Sequence, residues 1–453
     1  MSAFLKYYNF MMFNREELIE ATGAQCLKND CGNFEGFKIS TDTRTIAKGD
    51  IYLPLKGANF DGEKFIEQAL NAGAVGYFTT TDTVFDNAKL VLKVSDTKEA
   101  YLNIAKFYRF KLNPKTIMIT GSSGKTTTKE IVYSVLSQKF KTQKTFSNHN
   151  NEIGFCQTVL GMPTDTQALV VEAGMRGLGE IELISTHLEP DYAIITNSGT
   201  AHIGRLGSLD NIAKAKCEIA AGLKENGAFI ALNQEIIKKH LKYNGKKIFY
   251  SLNDVKILER KIGYSKFEYK NNVYELNVEG DYNIENSLAA IELGYCIGLT
   301  YDEIAQGLRS YKPIEKRWEV ENVGGINFIN DSYNANPDSM KASVKTFVEL
   351  YEKPVVVLGN MGELGENEVQ YHKEVGVYLS ELRKDVKYFV VGDLAAEIGK
   401  VLEQSGFEVK YFDDNEQVAK EIVKTCSNSE TVFLKASRSM EFEKIIENVR
   451  GIK

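Results

Sequence analysis

Short apolar runs alternate along this chain with stretches in which apolar residues recur every three to four positions, the marks of strands and of amphipathic helices. After Asn14, the positions Leu18, Ile19 and Ala21 predict a helix. Short strands and glycine turns follow to about residue 110, with Asp42-Thr43-Arg44, Gly49-Asp50-Ile51-Tyr52 and Asp61-Gly62 as turn-rich landmarks. The polar segment Lys111-Leu112-Asn113-Pro114 reads as a boundary, because the residue before a proline is pushed out of helical geometry. From Lys115 to about Lys312 strands alternate with helices, the pattern of a mainly parallel sheet covered by helices, with its clearest strands at 116–120, 169–171, 192–196 and 228–232. From about Trp318 a third block repeats the style, with strands at 326–329, 354–358, 388–391 and 431–434. The expectation is an α/β protein of three domains, 1–112, 113–315 and 316–453.

Length agrees with this division: 453 residues at about 150 per domain gives about three domains. The net charge of −6 exerts no global pull on nucleic acid or anionic lipid, so any phosphate site must be a compact local loop. The six cysteines show neither the density of a secreted scaffold nor a CxxC metal spacing, and no apolar run approaches the roughly 18 to 20 residues of a membrane span. The first residues carry the apolar patch Phe10-Met11-Met12-Phe13 without a basic leader or a cleavage site. A cytoplasmic protein with reduced thiols, no nucleic-acid partner and no membrane insertion is expected.

The strongest local signal is Gly121-Ser122-Ser123-Gly124-Lys125-Thr126-Thr127, set between an apolar strand and a helix whose inner face carries Ile131, Val132, Val135 and Leu136. Glycines let backbone N–H groups approach phosphate oxygens, the lysine adds positive charge, and the helix N-terminus adds its dipole. Thr126 is placed to ligate the magnesium that accompanies ATP. A strict Walker loop would have glycine where Ile119 stands, so this is a shortened relative of that pattern. By itself it leaves kinase, ATPase and ligase open.

In open α/β sheets ligands bind beyond the carboxyl ends of strands, and two candidates for metal binding lie there: Glu172 after 169–171, and His202 after 192–196. His202 alone reads as a surface loop histidine; with Thr126 and Glu172 it makes a set drawn from three strand ends, as phosphoryl transfer needs. After Ser208 a helical stripe runs through Leu209, Ile212, Ala213, Ile219, Ala220 and Leu223, with Lys216 inside it and Lys214 pointing away. Lys216 either snorkels to solvent or, buried with a lowered pKa, takes up carbon dioxide to give an acidic carbamate that holds a second magnesium.

Several separated strings together resemble the Mur ligase family. They are 120–129 (TGSSGKTTTK), 148–154 (NHNNEIG), 172–176 (EAGMR), Gly207-Ser208 leading to 214–219 (KAKCEI), 331–337 (DSYNANP), 359–365 (GNMGELG) before His372, and 435–438 (KASR). The resemblance runs from about Phe13 to the end of the chain. It implies an N-terminal α/β domain for a UDP-linked substrate, a central phosphate-loop ATPase domain and a C-terminal Rossmann-like domain that closes on ATP. The third-domain strings are similar to those of the branch that adds D-alanyl-D-alanine to UDP-N-acetylmuramoyl-tripeptide in peptidoglycan synthesis. They differ from those of relatives adding lysine or diaminopimelate, and from folylpolyglutamate synthases.

By resemblance, residues 121–127 bind ATP phosphates and Thr126, Glu172, His202 and a carbamylated Lys216 organise Mg2+, with Lys125 steadying the transferred phosphoryl group. Asn286 resembles an adenine contact. Arg317 and Asp331 resemble the residues through which the third domain grips the nucleotide. Asn150, Asn151, Asn334 and Lys435 would face the peptide substrates. Thr43 and Arg44 would lie near the uridine diphosphate, while Asp50 and Asp61 read as turn-formers. Phe34, Phe37 and Phe60 are each either a uracil platform or core filling. The chain departs from the family at Tyr282, Gly204 and Ala436, where histidine, glutamate and glycine are frequent. A monomer is expected.

Overall fold

The computed structural model describes residues 13–32, 36–57, 59–314, 316–427 and 430–452; residues 1–12 and Phe34 lie outside the described residues. The chain packs as two compact units, one of Met1–Ile117, Phe140–Ala173 and Leu183–Asp191, the other of Met118–Lys139, Gly174–Glu182 and Tyr192–Lys453.

In the first unit, Asn14 caps the helix Arg15–Thr22 with a reciprocal bond to Glu17, which fixes the start that the sequence predicts. Five strands follow in the order Gln25–Asn29, Leu90–Lys93, Gly76–Thr79, Ile51–Tyr52 and Ile39–Ser40; the first pair is antiparallel and the others parallel. Tyr52, Ile66, Ala69, Tyr77 and Val91 form a core on this sheet. Helix Thr97–Leu112 begins at Asp96, whose carboxylate accepts from Glu99 N–H, and stops at Asn113 in a left-handed conformation just before Pro114. The helix therefore ends immediately before the proline.

The central sheet has the order Lys246–Tyr250, Ala228–Leu232, Tyr192–Ile195, Lys115–Thr120, Ala168–Glu172 and Thr142–Lys144. The first three of these strands pair in parallel. Their apolar runs are continuous because helices cover both faces. Ile117, Met118 and Ile119 are fully buried, each worth about 1.5–3 kcal/mol of burial. Helix Lys125–Leu136 buries Ile131, Val132, Val135 and Leu136 as its spacing predicts, and packs on Asp281–Ile297 and Tyr301–Ser310.

Two regions differ from the alternating pattern. Val255–Lys261, Tyr264–Tyr269 and Asn272–Leu276 form an antiparallel sheet in which Phe267, Tyr269, Tyr274 and Leu276 face inward. Lys270 and Asn271, both at positive φ (50° and 63°), make the two-residue turn that suits such a hairpin. The helix after Ser208 ends at Cys217, continues as a 3-10 turn, and leaves Leu209 exposed, so the predicted stripe is shorter than its spacing suggested.

The C-terminal sheet has six strands in the order Glu319–Val323, Ile326–Asn330, Thr431–Lys435, Pro354–Gly359, Lys387–Val391 and Glu408–Phe412. The first pair is an antiparallel hairpin and the rest are parallel. Its first and last strands carry too few apolar residues to stand out in the sequence. Val355, Val357, Phe389, Val432, Leu434 and Ile445 centre its core.

Candidate active site

The phosphate loop is shaped by the loop after Tyr192–Ile195. Asn197 Oδ1 accepts from Ser122 N–H (3.2 Å) and Ser123 N–H (3.0 Å), while its Nδ2 donates to Ser123 Oγ (2.9 Å). Thr196 Oγ1 donates to the Ser123 carbonyl (2.5 Å), and Lys125 Nζ to the Gly121 carbonyl (2.7 Å). A Cβ on Gly121 would lie 1.8 Å from Thr196 Oγ1, and one on Gly124 (φ 75°) 2.3 Å from Asn286 Oδ1. Both positions therefore require glycine. The N–H groups of Ser122 and Ser123 are committed to Asn197, which narrows the expected anion donors to the first helical turn, where Thr126 and Thr127 have no intrahelical acceptor. Asn197 is a positioning residue that sequence reasoning passed over; a polar side chain one residue beyond a central strand was the available signal.

Asn286 does not point outward from its helix. It is buried against Gly124 and accepts from Thr128 Oγ1 (3.3 Å). Lys216 is 1% exposed, so it does not snorkel, and burial followed by the neighbouring Lys125 charge pushes its ammonium well below the usual lysine range. Lys214 is exposed, as expected. His202 follows the same strand end as Asn197 and lies 2.5 Å from Glu363 through Nδ1.

Arg317 lies over the Tyr333 ring at 4.1 Å, between Lys316 and Trp318, both in left-handed conformations (φ 59° and 60°). Its Nε is buried without a hydrogen-bond partner among the described residues. The buried Lys435 forms an ion pair at 2.6 Å with the half-buried Asp331. Tyr282, one of the departures, packs on Trp318 at 6.1 Å between ring centres. Asn334 accepts from the N–H of its neighbour Ala335. The block that carries these residues touches the phosphate-loop region directly. Asn336 Nδ2 donates to the Ser122 carbonyl (3.4 Å), and Asp338 Oδ2 accepts from Thr200 N–H and Oγ1 (3.0 Å each).

In the first unit, Glu172 ends its strand 2% exposed; Asn150 Nδ2 donates to its Oε1 (3.1 Å) and its N–H donates to Thr145 Oγ1 (3.0 Å). Asn151 caps the helix Glu152–Leu160 by accepting from Gly154 N–H. Arg44 is exposed and forks onto Asp42, whose carboxyl it holds down at about 2, and Thr43 is half-buried between them. Asp50 accepts from Ala47 N–H and Asp61 from Glu63 N–H, the turn-forming roles expected of them. Phe37 is core; Phe60 is exposed and stacks on Phe65 at 5.5 Å.

No group of three or more His, Cys, Asp or Glu side chains able to hold a metal occurs among the described residues. The oxygen donors that do lie at the strand and loop ends, the buried Glu172 carboxylate and the Thr126 hydroxyl, are of the kind that magnesium takes together with waters and phosphate oxygens. No helix among the described residues is long and apolar enough to cross a membrane. The six cysteines are all free.

Three family models match the chain in succession: Mur ligase family, catalytic domain over residues 38–109; Mur ligase middle domain over 119–294; and Mur ligase, glutamate ligase domain over 316–438. The chain is 36% identical over 425 residues to the UDP-N-acetylmuramoyl-tripeptide--D-alanyl-D-alanine ligase of Bacillus subtilis (strain 168), covering 91% of this chain and 92% of the relative. Among solved structures, MurF from Acinetobacter baumannii superposes with a TM-score of 0.87 at 28% identity, covering 98% of this chain and 99% of that one. MurF ligase from Thermotoga maritima in complex with ADP gives 0.81 at 26% identity, covering 91% and 97%.

Proposed function

The chain belongs to the Mur ligase family, with that family's N-terminal, middle and C-terminal domains, and from this premise we propose how its residues carry out the reaction. It is an ATP-dependent ligase that joins D-alanyl-D-alanine to UDP-N-acetylmuramoyl-tripeptide, making a precursor of peptidoglycan. For the chemistry, the supporting observation is a phosphate loop with no room for a side chain at Gly121 and Gly124, beside a buried lysine of suppressed charge. We take the domains to run 1–112, 113–315 and 316–453. The chain acts in the cytoplasm, where nucleotide substrates and reduced thiols are found, and as a monomer, since one chain supplies every group named below.

A carboxylate does not couple to an amine at neutral pH because oxide would have to leave. Transfer of the γ-phosphoryl group of ATP to a carboxylate oxygen of the tripeptide gives ADP and an acyl phosphate. The dipeptide amine then attacks the acyl carbon, the tetrahedral intermediate collapses, the C–O bond to phosphate breaks, and the amine proton is lost as the peptide bond forms. The first step brings two anions together. Lys125 and the N–H groups of Thr126 and Thr127 offset that repulsion and meet the charge that grows on the transferred group. Thr126, Glu172 and His202 would hold magnesium, which would further neutralise the phosphates when bound.

Lys216 is suited to a carbamate because only a neutral amine attacks carbon dioxide, and its environment disfavours the ammonium. The product, formed with loss of a proton, replaces a buried neutral amine by an anion that would be able to hold a second magnesium. Asn286 contacts adenine from behind Gly124. Arg317, with its buried Nε, and Asp331 grip the nucleotide, while Asn334 and Lys435 face the incoming dipeptide. Asn150 and Asn151 face the muramoyl peptide, and Thr43 and Arg44 the uridine diphosphate. Closure of the C-terminal domain over ATP shields the acyl phosphate from water, a role supported by the contacts of Asn336 and Asp338.

The test is phosphate release from ATP and magnesium with UDP-N-acetylmuramoyl-tripeptide, comparing D-alanyl-D-alanine, lysine, diaminopimelate and no amine. Turnover with the dipeptide is expected; turnover with lysine and not with the dipeptide would reverse the assignment.

A further inference from the structure

The turn that follows His202 meets residues 363–365 of the C-terminal block at very close range. Gly204 N–H donates to the Glu363 carbonyl (3.0 Å), and Arg205 Nε lies 3.5 Å from Glu363 Oε1. A Cβ on Gly204 would sit 2.4 Å from Gly365 N and 2.7 Å from Gly365 Cα, so the backbones pass with no room for a side chain. Gly204 itself has ordinary helical backbone in Ile203–Leu206, where alanine is otherwise favoured over glycine. The glycine is thus required by the docked neighbour and not by its own turn.

The arriving residues are held in advance. His372 Nδ1 donates to the Glu368 carbonyl (2.7 Å), which leaves Nε2 to accept from Met361 N–H (2.9 Å). Ser437 Oγ accepts from Gly362 N–H (2.7 Å). His202 and Glu363 both adopt left-handed backbone, at φ 65° and 62°, conformations that non-glycine residues adopt uncommonly. Two such residues face each other, with His202 Nδ1 2.5 Å from Glu363 Oε2. The two atoms are in close contact, although without the alignment of a full hydrogen bond. A carboxylate at that range favours a proton over a lone pair at Nδ1, since two lone pairs would repel, and a ring holding a single proton there presents its lone pair at Nε2.

We propose that Glu363 is a positioning residue for His202: docking of the C-terminal domain brings its carboxylate to Nδ1, fixes the imidazole as the Nδ1–H tautomer, and so prepares Nε2 for the magnesium-nucleotide. Domain closure and completion of the histidine are then one event, and Gly204 is the clearance that allows it. A carboxylate behind a metal-site histidine fixes its ring in this way generally, and removing such a partner costs about ten- to a hundredfold in metal affinity. The inference rests on the assignment of His202 to the magnesium site.

The test uses the full chain with nitrogen-15 histidine, in the presence of ADP and manganese or magnesium. Long-range proton-nitrogen spectra with magnesium report the His202 tautomer, and electron paramagnetic resonance reports manganese affinity. Wild type should show His202 as Nδ1–H. Glu363→Ala and Gly204→Ala should both move it towards Nε2–H and weaken manganese by about tenfold or more, with Glu363→Asp partly restoring the first. Gly204→Ala keeps the carboxylate and the local helix, so its agreement with Glu363→Ala separates docking from a local defect. An unchanged tautomer and affinity in both variants, while wild type binds ADP with metal, would overturn this inference alone. Failure of wild type to bind ADP at all would instead overturn the ligase reading.

Discussion

The phosphate loop and the turns of the N-terminal block use the same kinds of residue in opposite ways. Around Gly121 to Thr127, side chains from elsewhere, Asn197 and Thr196, hold the loop's backbone in place and Asn286 packs against Gly124, so the loop is shaped by residues distant in sequence. In the N-terminal block, Asp42, Asp50 and Asp61 spend their carboxylates on their own turns, and Arg44 is tied to Asp42. A site built by distant residues for a reacting phosphoryl group should be far less tolerant than turns that tie themselves.

The largest effect should come from Lys125→Ala. Loss of one donor to a transferring group lowers kcat by about a hundred- to a thousandfold, read as phosphate release, with unchanged circular dichroism. A loss under tenfold would erase the contrast. Lys216→Ala should follow, at about a hundredfold if the carbamate carries a metal. Carbon-13 bicarbonate should label wild type and not the variant. Because only the neutral amine takes up carbon dioxide, labelling should fall as pH drops through the lowered pKa, and a residue labelled better in acid would refute the sign.

Gly124→Ala should come next: a non-glycine residue at φ 75° costs about 1–2 kcal/mol, and its Cβ meets Asn286. Isothermal titration should show weaker ADP binding, and adding Asn286→Ala should relieve the clash but not the backbone strain. Arg44→Ala should raise KM for the UDP substrate by roughly fivefold with kcat unchanged, the sign of lost uniform binding. A kcat effect would place Arg44 in the chemistry. Asp61→Ala should be smallest, lowering stability by about 1 kcal/mol in urea unfolding as a lost cap and leaving kinetics untouched.

The same contrast explains what could be read from sequence. The central strands and the phosphate loop were legible because their apolar runs are continuous and their glycines sit at fixed offsets from Lys125. The antiparallel sheet over Val255–Leu276 was missed because its alternation is interrupted by charged residues on the open face and its Lys270-Asn271 turn lacks glycine. Edge strands Glu319–Val323 and Glu408–Phe412 were missed for the same reason, since two of the five positions in each are exposed and most of the others only half-buried. Burial decided Lys216, whose spacing was compatible with either snorkelling or enclosure. Asn197, Asp338 and Glu363 act through partners far away in sequence, which periodicity does not register.

The central claim is that phosphoryl transfer to the tripeptide carboxylate precedes attack by the amine. The most direct measurement is to run the ligation with oxygen-18 in that carboxylate and analyse the released phosphate by mass spectrometry. One labelled oxygen in each phosphate, with ADP as the nucleotide product, is the predicted result. Unlabelled phosphate, or label carried off in AMP with pyrophosphate released, would contradict the account.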